Sequence, residues 1–215
     1  MKTYKFGETK VYLHKNDLPS SLKFPNEIAI DTETTGLNLV RDRLCLIQIA
    51  FSKNESHLVK FDNSFFKKRK TPKNLVALLS DKKIKKIFHY ARFDVAIIRK
   101  SFGFYCENLF CTKIASKLVR TYTDKHGLKD LCKEILGVDL NKAQQSSDWS
   151  SEELSDQQIK YASYDVIFLF KLKEILNLML IREDRQQLSQ IIFSFLKTRI
   201  ELDFMGWIDS DIFAH

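Results

Sequence analysis

The segment Glu27–Leu37, EIAIDTETTGL, constrains this chain more than any other stretch. It opens as an apolar, partly β-branched run of the kind that forms a buried strand. Two acids, Asp31 and Glu33, then stand two residues apart, and in a strand such residues project to the same side. Like charges so placed repel unless they face solvent or share a cation. A hard divalent ion, Mg2+ or Mn2+, takes carboxylate oxygens and would resolve the conflict. Gly36, just beyond, lets the backbone approach closely.

Two further segments carry acids in apolar surroundings. In HYARFDVAII, Asp94 lies near the start of a helix, where it also suits the helix dipole. In IKYASYDVIFLF, Tyr161 and Asp165 are four residues apart and share a helical face. Asp165 leads into the apolar run Val166 to Phe170, so it needs a partner. Each piece alone has a structural reading: a solvated pair, a dipole-stabilising Asp, a hydrogen-bonded core acid. In this order they say more, because four converging carboxylates can hold two metals about 3.5–4 Å apart for phosphodiester hydrolysis.

The element pattern supports an α/β fold. EIAIDTE, RLCLIQIAF, HLVKF and KIKKIFH read as strands. TPKNLVALLSD reads as a crossover helix, with Thr71 as cap and Pro72 in the first turn. Helices follow in ARFDVAIIRKSFG, TKIASKLVR and LKDLCKEILG, the first ending at Gly103 and the last at Gly137. A long helical run from Ser155 to about Ile181 opens with Ser155 and Gln158 as a capping box. The expectation is a mixed β-sheet flanked by α-helices with a C-terminal helical extension.

Composition narrows the class. The 215 residues and 44% hydrophobic content can bury a real core. No run of about 18 uncharged apolar residues exists, and MKTYKFGETK lacks the apolar middle of a signal peptide, so a soluble, cytoplasmic protein is expected. Cys45, Cys106, Cys111 and Cys132 form no CxxC pair and read as reduced core thiols rather than zinc ligands. The net charge of +8, concentrated in KKRKTPK and KKIKK, suits a polyanionic partner, although solvated loops and strand edges carry such runs equally well.

The three acidic segments resemble the exonuclease motifs of the DEDD superfamily of 3′→5′ exonucleases, in the Tyr-containing branch that includes RNase D and proofreading domains. The resemblance implies an RNase H-like exonuclease fold. It makes Asp31, Glu33, Asp94 and Asp165 ligands of two divalent metal ions, with Tyr161 orienting or helping to deprotonate the attacking water. The His-containing branch places its histidine five residues before the last Asp; that position here is Lys160. FCTKIASKLVRTYTDKHGLKDLC, QQSSDW and GWIDSDIFAH further resemble the short RNase D-like group called nanoRNase C, over nearly the whole chain. That likeness implies a metal-dependent exoribonuclease acting on very short single-stranded RNA, especially dinucleotides, and a ring-like homo-octamer. It divides the chain into an exonuclease domain, 1–182, and an extension, 183–215, packing on the core or on a neighbouring subunit, with no HRDC domain.

Substrate contacts are expected around the acids. Thr34, Gly36 and Leu37 follow the DTE motif, and Leu37 resembles the apolar wedge that related oligoribonucleases insert between the last two bases. His89 precedes the motif-two acid and is expected to cap or pack near the site. Tyr122, Lys125 and His126 suit a phosphate, or a solvated loop. KAQQSSDW offers Lys142, Gln145, Ser147 and Trp149 to a nucleotide edge and base. Arg120 is a further candidate for a terminal phosphate. Two other readings stand beside the first: a longer-chain RNase D-like exonuclease for tRNA 3′ processing or DNA degradation, and a catalytically inactive nucleic-acid-binding module.

Overall fold

A computed structural model describes residues 1–215 apart from Arg69 and Lys142. Strands β1 (Lys2–Phe6) and β2 (Thr9–Lys15) pair as a hairpin turned at Gly7, whose φ of 61° suits glycine. β3 (Glu27–Thr34), β4 (Leu44–Ser52) and β5 (Glu55–Lys60) form an antiparallel meander. β6 (Lys85–Phe88) and β7 (Leu109–Cys111) add parallel beyond β3. The seven-stranded order β1-β2-β5-β4-β3-β6-β7 leaves β3 hydrogen-bonded on both sides. The mixed sheet and its helices are the α/β architecture expected from the strand pattern.

The helices are α1 (Lys73–Ser80), α2 (Ala91–Phe102), α3 (Thr112–Val119), α4 (Leu128–Leu131), α5 (Asp156–Ile167), α6 (Leu169–Arg182) and α7 (Gln186–Leu202). Gly103 and Gly137 end their helices in the left-handed region, at φ 84° and 69°. The capping box at α5 is complete: Ser155 Oγ accepts from Gln158 N at 3.2 Å and Gln158 Oε1 accepts from Ser155 N at 2.9 Å.

Several expectations are corrected. The β1–β2 hairpin and β7 were not anticipated. β1 is largely exposed and β7 spans only three residues, so neither writes a clear apolar alternation. Thr71 does not cap α1. Asp17, from the loop after β2, accepts from Asn74 N and Leu75 N at 3.2 and 2.9 Å instead, and Pro72 itself is the N-cap residue. The run from Ser155 breaks at Phe168 into α5 and α6. Within KKIKK, Lys86 is fully buried and donates to Asp81 O rather than lying on a solvated edge.

Two apolar cores hold the helices to the sheet. The larger contains Ile28, Ile47, Leu75, Val95, Leu172 and Ile200. The smaller, under α5, is built from Val11, Cys45, Leu46, Leu58, Trp149, Ile159 and Ala162. All four cysteines are buried. Helix α7 packs on α2 and β7, with the Phe110 and Phe193 rings 5.1 Å apart. Beyond it, Arg92 grips Asp203 through two bonds of 2.7 and 2.6 Å and Ile208 O at 2.8 Å. Among the described residues no helix is long and apolar enough to cross a membrane.

Candidate active site

The end of β3 carries the first two acids. Its register against β4 shifts between Glu33 and Thr34, which bends the strand where it leaves the sheet. Gln48 faces Asp31 across the β3–β4 ladder. Its amide nitrogen is 3.5 Å from both Asp31 Oδ2 and Glu33 Oε1, at the limit of a hydrogen bond. Helix α5 brings Asp165 to the same point. One carboxylate oxygen each from Asp31, Glu33 and Asp165 lie within 4.8 Å of one another. Asp94, buried in the first turn of α2, accepts a 2.7 Å hydrogen bond from Thr32 Oγ1. The Tyr161 hydroxyl is hydrogen-bonded to Asp165, and its ring packs 6.1 Å from that of Trp149.

The electrostatics show the strain of this assembly. Burial pushes Asp31 up to about 7. Burial, then the charges of Asp31, Asp165 and Asp94, push Glu33 up to about 10, against a small opposing effect of the Gln48 hydrogen bond. Asp94 is raised by burial and then by Asp31. Tyr161 is held firmly protonated by burial and by the neighbouring acids, Asp165 first. Protons or cations must therefore neutralise part of the cluster at neutral pH. An all-oxygen, crowded donor set of this kind fits a hard divalent cation rather than a soft one.

These groups line a cleft of about 340 Å3. Of the expected substrate contacts, Thr34, Leu37, His89 and Gln145 line it. Leu37 is 82% exposed, free to meet a ligand. His89 Nδ1 donates to Thr112 Oγ1 at 2.9 Å, because that hydroxyl spends its own proton on Phe88 O at 3.1 Å. Gly36 shapes the loop from behind: a Cβ there would lie 2.4 Å from Asp42 Oδ2. The Asp42 carboxylate is held at about 2 by Arg41 and by the backbone amide of Asn38. A second hollow of about 320 Å3 shares Leu140, Asn141, Tyr161 and Asp165 with the cleft and extends past Gln144, Gln157 and Lys160.

Several expected contacts, Lys125 among them, are not brought into the cleft. Tyr122 is 77% exposed, under the Arg120 guanidinium. His126 is buried, its Nδ1 2.8 Å from Ser116 Oγ. Ser147 Oγ accepts from Gln158 Nε2 at 3.0 Å and so braces α5. Trp149 is 2% exposed and fills the smaller core, where it cannot offer a face to a base. Arg120, also buried, binds Glu134 and Lys125 O instead of reaching for a phosphate. Lys142 lies outside the described residues. Sequence reasoning missed Tyr90, Lys113, Lys129 and Asn141, which line the cleft. Only the adjacency of Tyr90 to His89 could have pointed to any of them.

Comparison with known proteins identifies the family and the fold. Residues 14–181 match the 3′–5′ exonuclease family model. Ribonuclease D of Gluconacetobacter diazotrophicus is 34% identical over 158 residues, 74% of this chain and 39% of that protein. Arabidopsis thaliana RRP6-like 1 is 30% identical over 82% of this chain and 27% of its own length, so the chain spans less than half of these relatives. Among solved structures, Brucella melitensis NrnC with bound Mg2+ is 47% identical, with a TM-score of 0.87 over 95% of this chain and 98% of that one. The NrnC structure bound to pGG is 48% identical with the same TM-score and the same coverage. Escherichia coli RNase D, at 23% identity, a TM-score of 0.70 and 82% of this chain against 45% of its own, shares the fold. The chain belongs to the 3′–5′ exonuclease family.

Proposed function

We propose that the protein hydrolyses short single-stranded RNA, dinucleotides above all, to 5′-mononucleotides. The observation that carries this reading is the convergence of Asp31, Glu33 and Asp165 within 4.8 Å, with Asp94 and Tyr161 against them in one cleft. The size of that cleft, about 340 Å3, is near the lower end for ligand sites and suits a short ligand. The likeness to NrnC bound to pGG supports a dinucleotide.

Asp31, Glu33, Asp94 and Asp165 are the residues that would hold two Mg2+ or Mn2+ ions. When bound, these ions supply positive charge where the phosphoryl oxygens become more negative, and they acidify water. Tyr161 keeps its proton, so its hydroxyl orients the attacking water by hydrogen bonding rather than acting as the base. Leu37 separates the terminal base from the next. Thr34, His89 and Gln145 line the path of the substrate, and Gly36 sets the position of Leu37. Tyr122, His126, Ser147 and Trp149 act only by support from outside the cleft.

Residues 1–182 form the catalytic domain and 183–215 the extension in this reading. Leu188, Ile191 and Phe195 on α7, with Met205, Trp207 and Phe213, leave an exposed apolar surface. That surface suits burial in a homo-oligomer, an octamer in this reading, working in the cytoplasm. The test is a time course on 5′-labelled RNAs of two to about ten nucleotides, with matched DNA. Faster hydrolysis of the dinucleotide supports the proposal; equal rates at all lengths, or preference for DNA, would sink it. A monomeric mass by light scattering would remove the oligomer.

A further inference from the structure

We propose that Tyr90 and Lys113 form a nucleotide-recognition pair, in which the Tyr90 ring offers a stacking face to a base and Lys113 a cation to a phosphate oxygen. The inference rests on the RNA reading above and adds to it two residues outside the acidic motifs. Both line the catalytic cleft. Tyr90 sits at φ 68°, ψ 44°, the left-handed region that a bulky side chain rarely enters. Such a conformation persists where the surroundings hold it, and a functional site is where it tends to be kept. The consequence is visible: the ring is 46% exposed instead of packed into the core.

Lys113 holds that ring from the first turn of α3, its Nζ 4.4 Å from the ring centroid. The other lysine lining the cleft, Lys129, is 3.4 Å from Asp139 Oδ1. Among the described residues the Lys113 ammonium meets no carboxylate, and it rests on the Tyr90 ring. Its ammonium is thus a cation in an otherwise acidic cleft whose charge is not yet spoken for. A nucleotide answers both features, because it brings a flat base and a charged phosphate on one small molecule. Thr112, next to Lys113, bonds His89, next to Tyr90, which fixes the two residues relative to each other.

The experiment compares wild type with Tyr90→Phe, Tyr90→Asn and Lys113→Gln on a 2-aminopurine-containing RNA dinucleotide with Mn2+. Tyr90→Asn removes the ring yet keeps a residue that accepts the left-handed conformation. The expected result is a KM about tenfold higher for Tyr90→Asn with kcat within about twofold, near-normal KM for Tyr90→Phe, and loss of part of the 2-aminopurine quenching only in Tyr90→Asn. Lys113→Gln should raise KM and reduce the slope of log KM against log salt by about one. Thermal unfolding of each variant gives the second readout. Unchanged KM and quenching in variants that are folded, or merely less stable, would overturn the proposal. Wild-type inactivity on RNA would instead overturn the reading on which it rests.

Discussion

The hydroxyl of Thr32 donates to Asp94 Oδ1 at 2.7 Å, tying the strand that carries two of the acids to the helix that carries a third. Thr32→Val keeps the shape and removes this donor. We expect a 10- to 100-fold loss in metal affinity or activity, the usual cost of disturbing a residue that orients a ligand. Kinetics across a Mn2+ titration would show it as a higher half-saturating concentration. A lower Tm with unchanged metal dependence would reduce Thr32 to a packing residue.

Crowded acids make the metal-free protein sensitive to pH. Asp31 and Glu33 are raised to about 7 and about 10, so the folded state holds protons that the unfolded chain has released. Stability from this source is intact below about pH 4, where both states are protonated, and is lost as pH rises through 7. In EDTA, Tm should fall between pH 5.5 and pH 8. Mg2+ or Mn2+ should raise Tm more at pH 8, since binding displaces those protons. Differential scanning calorimetry at the two pH values, with and without metal, checks both signs.

Glu33→Gln should separate stability from activity. Gln is neutral folded and unfolded, so it relieves the cost of protonating Glu33 on folding and should stabilise the metal-free fold at neutral pH by about 1 kcal/mol or more. If Glu33 holds metal as proposed, its loss should cost roughly three orders of magnitude in kcat/KM. Urea unfolding in EDTA and a standard RNA assay measure the two effects in one preparation.

Gly36→Ala places a methyl 2.4 Å from Asp42 Oδ2, a carboxylate already engaged by Asn38 N and Arg41. The loop must move, at a cost of about 1–3 kcal/mol, and Leu37 moves with it. KM for the dinucleotide should rise more than kcat falls. A rise in Tm would contradict this placement of the loop.

Tyr161→Phe removes the hydroxyl that meets Asp165 and leaves the ring against Trp149. Circular dichroism and Tm should change little, while kcat falls about a hundredfold with KM nearly constant. A variant with near-normal kcat would take water positioning away from Tyr161.

The acidic motifs and the main strands and helices were legible because each writes its period locally: DxE on a strand, Y-x3-D on a helix, glycine after the last turn. What was not legible depends on distant partners. Asp17 caps α1 across more than fifty residues of sequence, so Thr71 looked like the natural cap. Trp149 beside Ser147 and Gln145 suggested a nucleotide platform, yet the indole is drawn into the core under α5, and only Gln145 of the three lines the cleft. Lys113 wrote no signal at all, because its meaning comes from facing Tyr90 across the fold.

The separation of the two cores bears on how the enzyme fails. Tyr161 packs against the smaller core, whereas Asp165 runs into Val166 and Ile167 of the larger one, in which the helix that carries Asp94 is also rooted. Loosening the larger core would displace Asp94 and Asp165 from β3, and loosening the smaller would displace Tyr161. Under the proposed function, hydrolysis would then report on the integrity of the whole fold and not of the cleft alone.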